Sequence, residues 1–343
     1  MKLRRIFLAI ACVVATGLAV PVPAGAAPQA VRTIAGNLAV PWGLAFLPDG
    51  TALTTERTTG RVLSIKGGVA TEVARIPGVR PSGEGGLLGI AVSPDYATDG
   101  WLFVYYTAAS DNRIARFKLG GAAPQPILTG IAKNSFHDGG GLAFGPDRML
   151  YATTGDAGNR PSAQDLNSLN GKILRLRPDG TAAPGNPFNS RVYSYGHRNV
   201  QGVTWSPEGR MYASEFGDQT WDELNRIEAG GNYGWPSCEG KCGDPSYVDP
   251  LLVWPTRQAS PSGIAVHKGY VYLAALAGRR LWRAQLTGDG GVGQPQSLYQ
   301  GTYGRLRAAA VAPDGTLWFS TSNRDGRGSP GPSDDRILST DGT

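Results

Sequence analysis

The chain has 343 residues, with 33 Lys and Arg against 27 Asp and Glu and a formal charge of +6. Lys2, Arg4 and Arg5 precede an apolar run over 6–20 and then Ala24-Gly25-Ala26, the pattern of an export signal cleaved after Ala26. Its removal leaves 30 basic against 27 acidic residues, a charge of +3, too slight for a nucleic-acid-binding surface, and the run of roughly 15 apolar residues falls short of the ~20 that span a bilayer.

The remainder, 27–343, is read as one domain in a secreted or extracytoplasmic protein. With 49 Gly, 25 Pro and no long stretch of helical apolar periodicity, it favours many short strands joined by turns. Residues 31–35 form a lone strand. A pattern then recurs: a small residue, an apolar strand, a Pro-Asp-Gly-like turn, and a second apolar strand. Its copies begin at Gly43 (GLAFLPDGTALTT), Gly89 (GIAVSPDYATDGWLFVYY), Gly141 (GLAFGPDRMLYATT), Gly202 (GVTWSPEGRMYAS), Gly263 (GIAVHKGYVYLAAL) and Ala308 (AAAVAPDGTLWFST). Each is followed by a third strand with a basic–apolar signature, such as RVLSI at Arg61 or KILRLR at Lys172.

The expected fold is therefore an all-β, six-bladed β-propeller with about four antiparallel strands per blade. A unit of this kind cannot bury its apolar faces alone, and six around an axis cover one another. The strand over 31–35 is placed to complete the last blade and close the ring. Of the three cysteines only Cys238 and Cys242 outlast the leader. In an oxidising compartment they read as a small disulfide loop, since two thiolates without a nearby His do not complete a zinc shell.

Loops at one end of a propeller converge on its channel, and the polar motifs of this chain fall between the copies. They are Gly83-Glu84-Gly85-Gly86, His137-Asp138-Gly139-Gly140, Gly155-Asp156-Ala157-Gly158, Gly196-His197-Arg198-Asn199, Glu215-Phe216-Gly217-Asp218 and Arg305-Leu306-Arg307. A His with a carboxylate beside it makes a general base of fixed tautomer. Arg and Asn offer donors to a developing oxyanion, and paired arginines offer fixed charge to carboxylates.

At these residues the chain resembles the soluble quinoprotein glucose and aldose sugar dehydrogenases, most specifically in GEGGLLGIAVSPDY, HDGGGLAFGPD, TTGDAG, QDLNSLNGKILRLRPDG, GHRNVQG, DELNRIEAGGNYGWP and GRLRAAAVAPDG. The resemblance implies a cofactor, pyrroloquinoline quinone (PQQ), with a calcium ion (Ca2+) at the channel mouth, and oxidation of an aldose at C1 to the lactone with electrons passed to an external acceptor. It implies His137 as the base, Asp156 as the carboxylate that orients it, and Glu84 beside the sugar. Arg198 and Asn199 fall beside the reactive quinone carbonyl, Arg305 and Arg307 on the cofactor's carboxylates, and Trp254 and Thr256 on a segment against the cofactor. The backbone carbonyls of Gly217 and Asp218 fall on the calcium ligands.

Three departures from the family pattern stand out. Phe216 replaces a polar residue and Asp218 a Pro. Ala277 stands where the family supplies a Lys to the cofactor, leaving Arg279 or Arg280 as the neighbouring charge. The segment Arg257-Gln258-Ala259 is longer than in the glucose enzymes. Two rival functions on the same architecture are a non-catalytic binding propeller, which has no use for His137, Asp156 and Arg198 together, and a gluconolactonase-like hydrolase, whose cage of metal-binding side chains has no clear counterpart here.

Overall fold

A computed structural model describes residues 31–342. The expected leader, 1–26, lies outside the described residues. Within them, 24 strands form six four-stranded antiparallel sheets. The sheets are the blades of a propeller, each running outward from its innermost strand.

The first blade comprises Pro41–Phe46, Ala52–Glu56, Arg61–Lys66 and Val69–Arg75. The second comprises Leu87–Val92, Leu102–Thr107, Asn112–Phe117 and Gln125–Ile131. The third is Leu142–Phe144, Leu150–Thr153, Lys172–Leu176 and Val192–Tyr195, and the fourth Val200–Trp205, Met211–Glu215, Trp221–Ile227 and Leu252–Pro255. The fifth is Pro261–His267, Tyr270–Ala275, Arg280–Gln285 and Gln296–Leu298. The sixth takes Leu306–Val311, Leu317–Thr321 and Ile337–Thr340 from its own copy and receives Arg32–Ala35 as its outermost strand, paired antiparallel to Ile337–Thr340. The first strand of the chain thus locks the last blade.

The repeat has a steric cause. The small residue heading each copy lies on the innermost strand, where the next blade approaches at backbone distance. A Cβ on Gly89 would meet the Gly140 carbonyl at 2.3 Å, and one on Gly202 would meet the Ser262 carbonyl at 2.6 Å. A hydroxyl on the second strand stitches the same seam. Thr55 donates to the Leu88 carbonyl, Thr153 to that of Val200, Ser214 to that of Ser262, and Ser320, across the ring closure, to that of Pro41. Between these polar seams lie apolar layers shared by adjacent blades. Phe103, Tyr105 and Ile114 of blade two, for example, belong to one cluster with Leu150 and Leu174 of blade three.

The sulfurs of Cys238 and Cys242 are joined in a disulfide, in the long loop between the last two strands of blade four. No helix among the described residues is long and apolar enough to cross a membrane.

Candidate active site

The glycine-rich loops before the innermost strands meet at one end of the channel. His137 sits in the loop entering blade three with φ of 59°, a left-handed conformation that costs a non-glycine residue free energy. Two backbone bonds hold it there: its N–H donates to Glu84 Oε2 at 3.0 Å, and its carbonyl accepts from Ala157 N–H at 3.2 Å. The ring Nδ1 lies 2.6 Å from Asp156 Oδ1. With Nδ1–H donated to that carboxylate, Nε2 is left as the proton acceptor.

Asp156 is buried and fully engaged. Besides His137, its Oδ1 accepts from Gly158 N–H at 2.7 Å, and its Oδ2 from the Trp235 indole N–H at 2.8 Å. Burial alone would raise its pKa, but the His137 ring and these donors hold it below the usual carboxylate value. The segment after Asp156 is pinned from below by Lys172, whose Nζ donates to the carbonyls of Ser162, Ala163 and Asn170. Burial pushes this ammonium down to about 8.

Glu84 and Asn199 bridge neighbouring loops. Asn199 accepts from Gly139 N–H at 3.0 Å and its Nδ2 reaches Glu84 Oε2 at 3.5 Å. The preceding Arg198 is anchored by its backbone N–H to Glu215 and by Nη2 to Asp218 Oδ1 at 2.9 Å. Its Nε is buried without a partner among the described residues. The Asp218 carboxylate also takes Arg160 Nη2 at 2.9 Å, and both guanidinium groups lie over the Trp235 ring, at 4.9 and 5.4 Å from its centroid.

Gly217 and Asp218 lie in the loop after the second strand of blade four. Its shape is imposed by two carboxylates. Asp222 accepts Gly217 N–H, and a single oxygen of Glu239 accepts the N–H groups of Asp218, Thr220 and Trp221 at 2.7–2.9 Å. Because the peptide is planar and trans, an Asp218 N–H aimed at Glu239 turns the Gly217 carbonyl the opposite way.

A cavity of about 330 Å³ completes the site, with Glu84, Gln201, Arg305, Arg307, Asp325 and Arg57 among the residues on its wall. Arg305 pairs with Asp325 at 2.8 Å. Arg307 is buried and, among the described residues, reaches only neutral partners: Gln201, Ser262 and Ser322. Phe216 and Ala277 also face this cavity.

The structure thus brings Glu84, His137, Asp156, Arg198, Asn199 and Asp218 into one hydrogen-bonded group, with Arg305 and Arg307 on the adjoining wall. Trp254 is placed differently. It is 3% exposed and packs on Trp282 between blades four and five, with ring centroids 5.6 Å apart. Thr256 opens the turn that follows, its hydroxyl 3.5 Å from the Gln219 carbonyl. Three contributors were not singled out from sequence: Trp235, Glu239 and Arg57. Trp235 lies in the Asn-Tyr-Gly-Trp-Pro run, so its segment was legible though its role was not.

Residues 38–329 match the family described as Glucose / Sorbosone dehydrogenase. The fold is similar to the PQQ-bound aldose sugar dehydrogenase of Streptomyces coelicolor, at 52% identity over 91% of this chain and 99% of that one, with a TM-score of 0.87. It is similar also to an oxidoreductase of Thermus thermophilus described as a glucose dehydrogenase, at 43% identity over 91% of this chain and 99% of that one, with a TM-score of 0.86. In sequence it is 33% identical over 259 residues to quinoprotein glucose dehydrogenase B of Acinetobacter calcoaceticus, covering 63% of this chain and 54% of that protein.

Proposed function

The chain belongs to the glucose/sorbosone dehydrogenase family, and from that premise we propose that it is a PQQ-dependent dehydrogenase that oxidises aldoses at C1 to the lactone. The observation that carries the reading is the His137–Asp156 pair, 2.6 Å apart, at the channel end where the guanidinium groups gather. The residues suit the cofactor. Arg57 and Arg198 each hold a buried Nε with no partner among the described residues, and four guanidinium groups, those of Arg57, Arg305, Arg307 and Arg327, line a cavity with Asp325, a donor set fitted to a planar, multiply carboxylated anion. The Gly217 and Asp218 carbonyls suit calcium, which takes oxygen ligands including backbone carbonyls.

When bound, PQQ would supply an ortho-quinone as hydride acceptor, and calcium would supply a Lewis acid. The protein's part is to move a proton and to fix charge. His137 Nε2 takes the proton of the C1 hydroxyl as hydride leaves the same carbon, so that the C–O bond gains its second order. Asp156 stabilises the imidazolium that results and keeps the ring in register. Glu84, tied to the His137 backbone, presents a carboxylate oxygen to the sugar's hydroxyls. Arg198 and Asn199 would offer donors to the negative charge that develops at this end of the channel.

We place the protein outside the cytoplasm, as an exported unit over 27–343 that passes its electrons to an external acceptor. The leader motif and the Cys238–Cys242 disulfide support that location. The test is to reconstitute purified protein with PQQ and calcium, follow reduction of an artificial dye across a panel of aldoses, and identify the product. Dye reduction with lactone formation is expected. Absence of turnover with every aldose, in protein that has taken up PQQ, would overturn the reading.

A further inference from the structure

Arg57 follows the second strand of blade one, and its backbone is fixed on both sides: N–H donates to the Val40 carbonyl and its own carbonyl accepts from Leu87 N–H, each at 3.1 Å. Its side chain enters the cavity that Arg305 and Arg307 line. The residue is only 6% exposed, yet among the described residues Nε has no partner, and the one hydrogen bond of the guanidinium there is a 3.5 Å contact from Nη2 to the Asp325 carbonyl.

The charges on this wall do not balance. The Asp325 carboxylate is engaged by Arg305, Arg307 bonds only to uncharged groups, and Glu84 is approached at 3.5 Å by the exposed Arg327. Among the described residues, two buried guanidinium groups are therefore left without a carboxylate of their own. Burial lowers the pKa of both, and for Arg307, pushed down to about 9, the Arg57 charge is the next cause. Like charges held together out of water are costly unless an anion completes them.

We propose that Arg57 is a third carboxylate-binding guanidinium of the cofactor site, acting with Arg305 and Arg307 on the acidic edge of PQQ. The inference rests on the cofactor reading above. Ala277 faces the same cavity with an uncharged methyl group. Of the arginines that follow it, Arg280 is engaged elsewhere, its guanidinium stacked over Trp282 at 4.8 Å and its Nε donating to the Gly278 carbonyl. Arg279 lines an adjoining depression that shares Ala277, Arg305 and Arg327 with the cavity.

The experiment is a titration of metal-loaded, cofactor-free wild type, Arg57→Gln and Arg57→Lys with PQQ, at low and high salt, alongside thermal unfolding of the cofactor-free proteins. Loss of a charged hydrogen-bond partner corresponds to roughly 10- to 100-fold in affinity. Arg57→Gln should therefore bind PQQ at least about tenfold more weakly, with a flatter salt dependence, while Arg57→Lys recovers part of the loss. The cofactor-free Arg57→Gln protein should unfold no earlier than wild type, because a buried unpaired charge has been removed. A purely structural arginine would give the reverse: earlier unfolding and an unchanged dissociation constant. That result overturns the proposal for Arg57 alone. Wild-type protein that takes no PQQ overturns the cofactor reading, and this inference with it.

Discussion

At His137 several weak constraints add up to one defined position: a strained backbone held by Glu84, a ring nitrogen held by Asp156, and the Phe136 ring set edge-on at 4.6 Å. Replacing the imidazole removes the base and little else. His137→Ala should lower turnover by about 10²–10⁴-fold and leave the PQQ dissociation constant within a few-fold of wild type; near-normal rates would refute the assignment. Trp235 acts one step back, through Asp156. Its indole N–H stabilises the carboxylate form, so Trp235→Phe should raise the Asp156 pKa toward its ordinary value. A carboxylate whose folded-state pKa is depressed contributes stability above its unfolded value, and that contribution is lost as pH falls through the folded pKa. The variant should therefore begin acid unfolding at a higher pH, by a loss of about 1 kcal/mol, as followed by circular dichroism. Unchanged acid unfolding would mean that the indole serves only to stack on Arg160 and Arg198. Sequence legibility divides at the same place. His137 and Asp156 stand in motifs whose residue types announce proton chemistry, whereas Trp235 is 79 residues from Asp156 and no spacing rule joins them.

Among the loops, the segment closed by the disulfide has a task beyond staying closed. Glu239 lies between Cys238 and Cys242, and its carboxylate gathers the N–H groups of the loop that carries Gly217 and Asp218. Breaking the link in a Cys238→Ser, Cys242→Ser variant should cost about 2 kcal/mol by loop-closure entropy. It should also weaken calcium binding, because Glu239 loses its fixed position. Glu239→Gln separates the two effects: calcium affinity should fall while the unfolding midpoint moves less than in the cysteine variant. Equal calcium affinity in all three proteins would show that the loop holds its shape unaided. The cysteine pairing was legible from compartment and spacing, but the task of Glu239 was not, since a carboxylate that accepts backbone N–H groups leaves no mark on the sequence around them. The fourth strands of the blades were hidden for a related reason. Val69–Arg75 and Gln296–Leu298 are largely exposed, so their residues carry little of the apolar signal that marked the three inner strands.

Across the whole ring, the copies at Gly43 through Ala308 were enough to count blades, because the close approach of each innermost strand to the next blade demands a small residue once per unit. Closure was legible too, since residues 31–35 were the one strand left without a unit. What a repeat cannot specify is which loops touch, and the site is assembled from loops of several blades. Blades two to four supply His137, Asp156, Arg198 and Asn199, while blades six and one supply the guanidinium wall. On the proposed reading, metal and cofactor meet in the middle of this assembly. Calcium held by the Gly217 and Asp218 carbonyls has few charged protein ligands, and the Asp218 carboxylate is already shared by Arg160 and Arg198. Such a site would need further oxygens to complete its shell, which a bound cofactor would offer, so each should bind better in the presence of the other. Linkage requires that the factor be the same in both directions. Calorimetric titration of calcium into protein with and without PQQ, and of PQQ with and without calcium, should return one coupling factor of at least about tenfold, corresponding to ~1.4 kcal/mol. If chelator-treated protein binds PQQ and oxidises aldoses as well as the calcium-loaded form does, the metal has no part in the reaction. The Arg160–Asp218–Arg198 cluster, which carries one net positive charge beside the same loop, would then be the charge available in its stead.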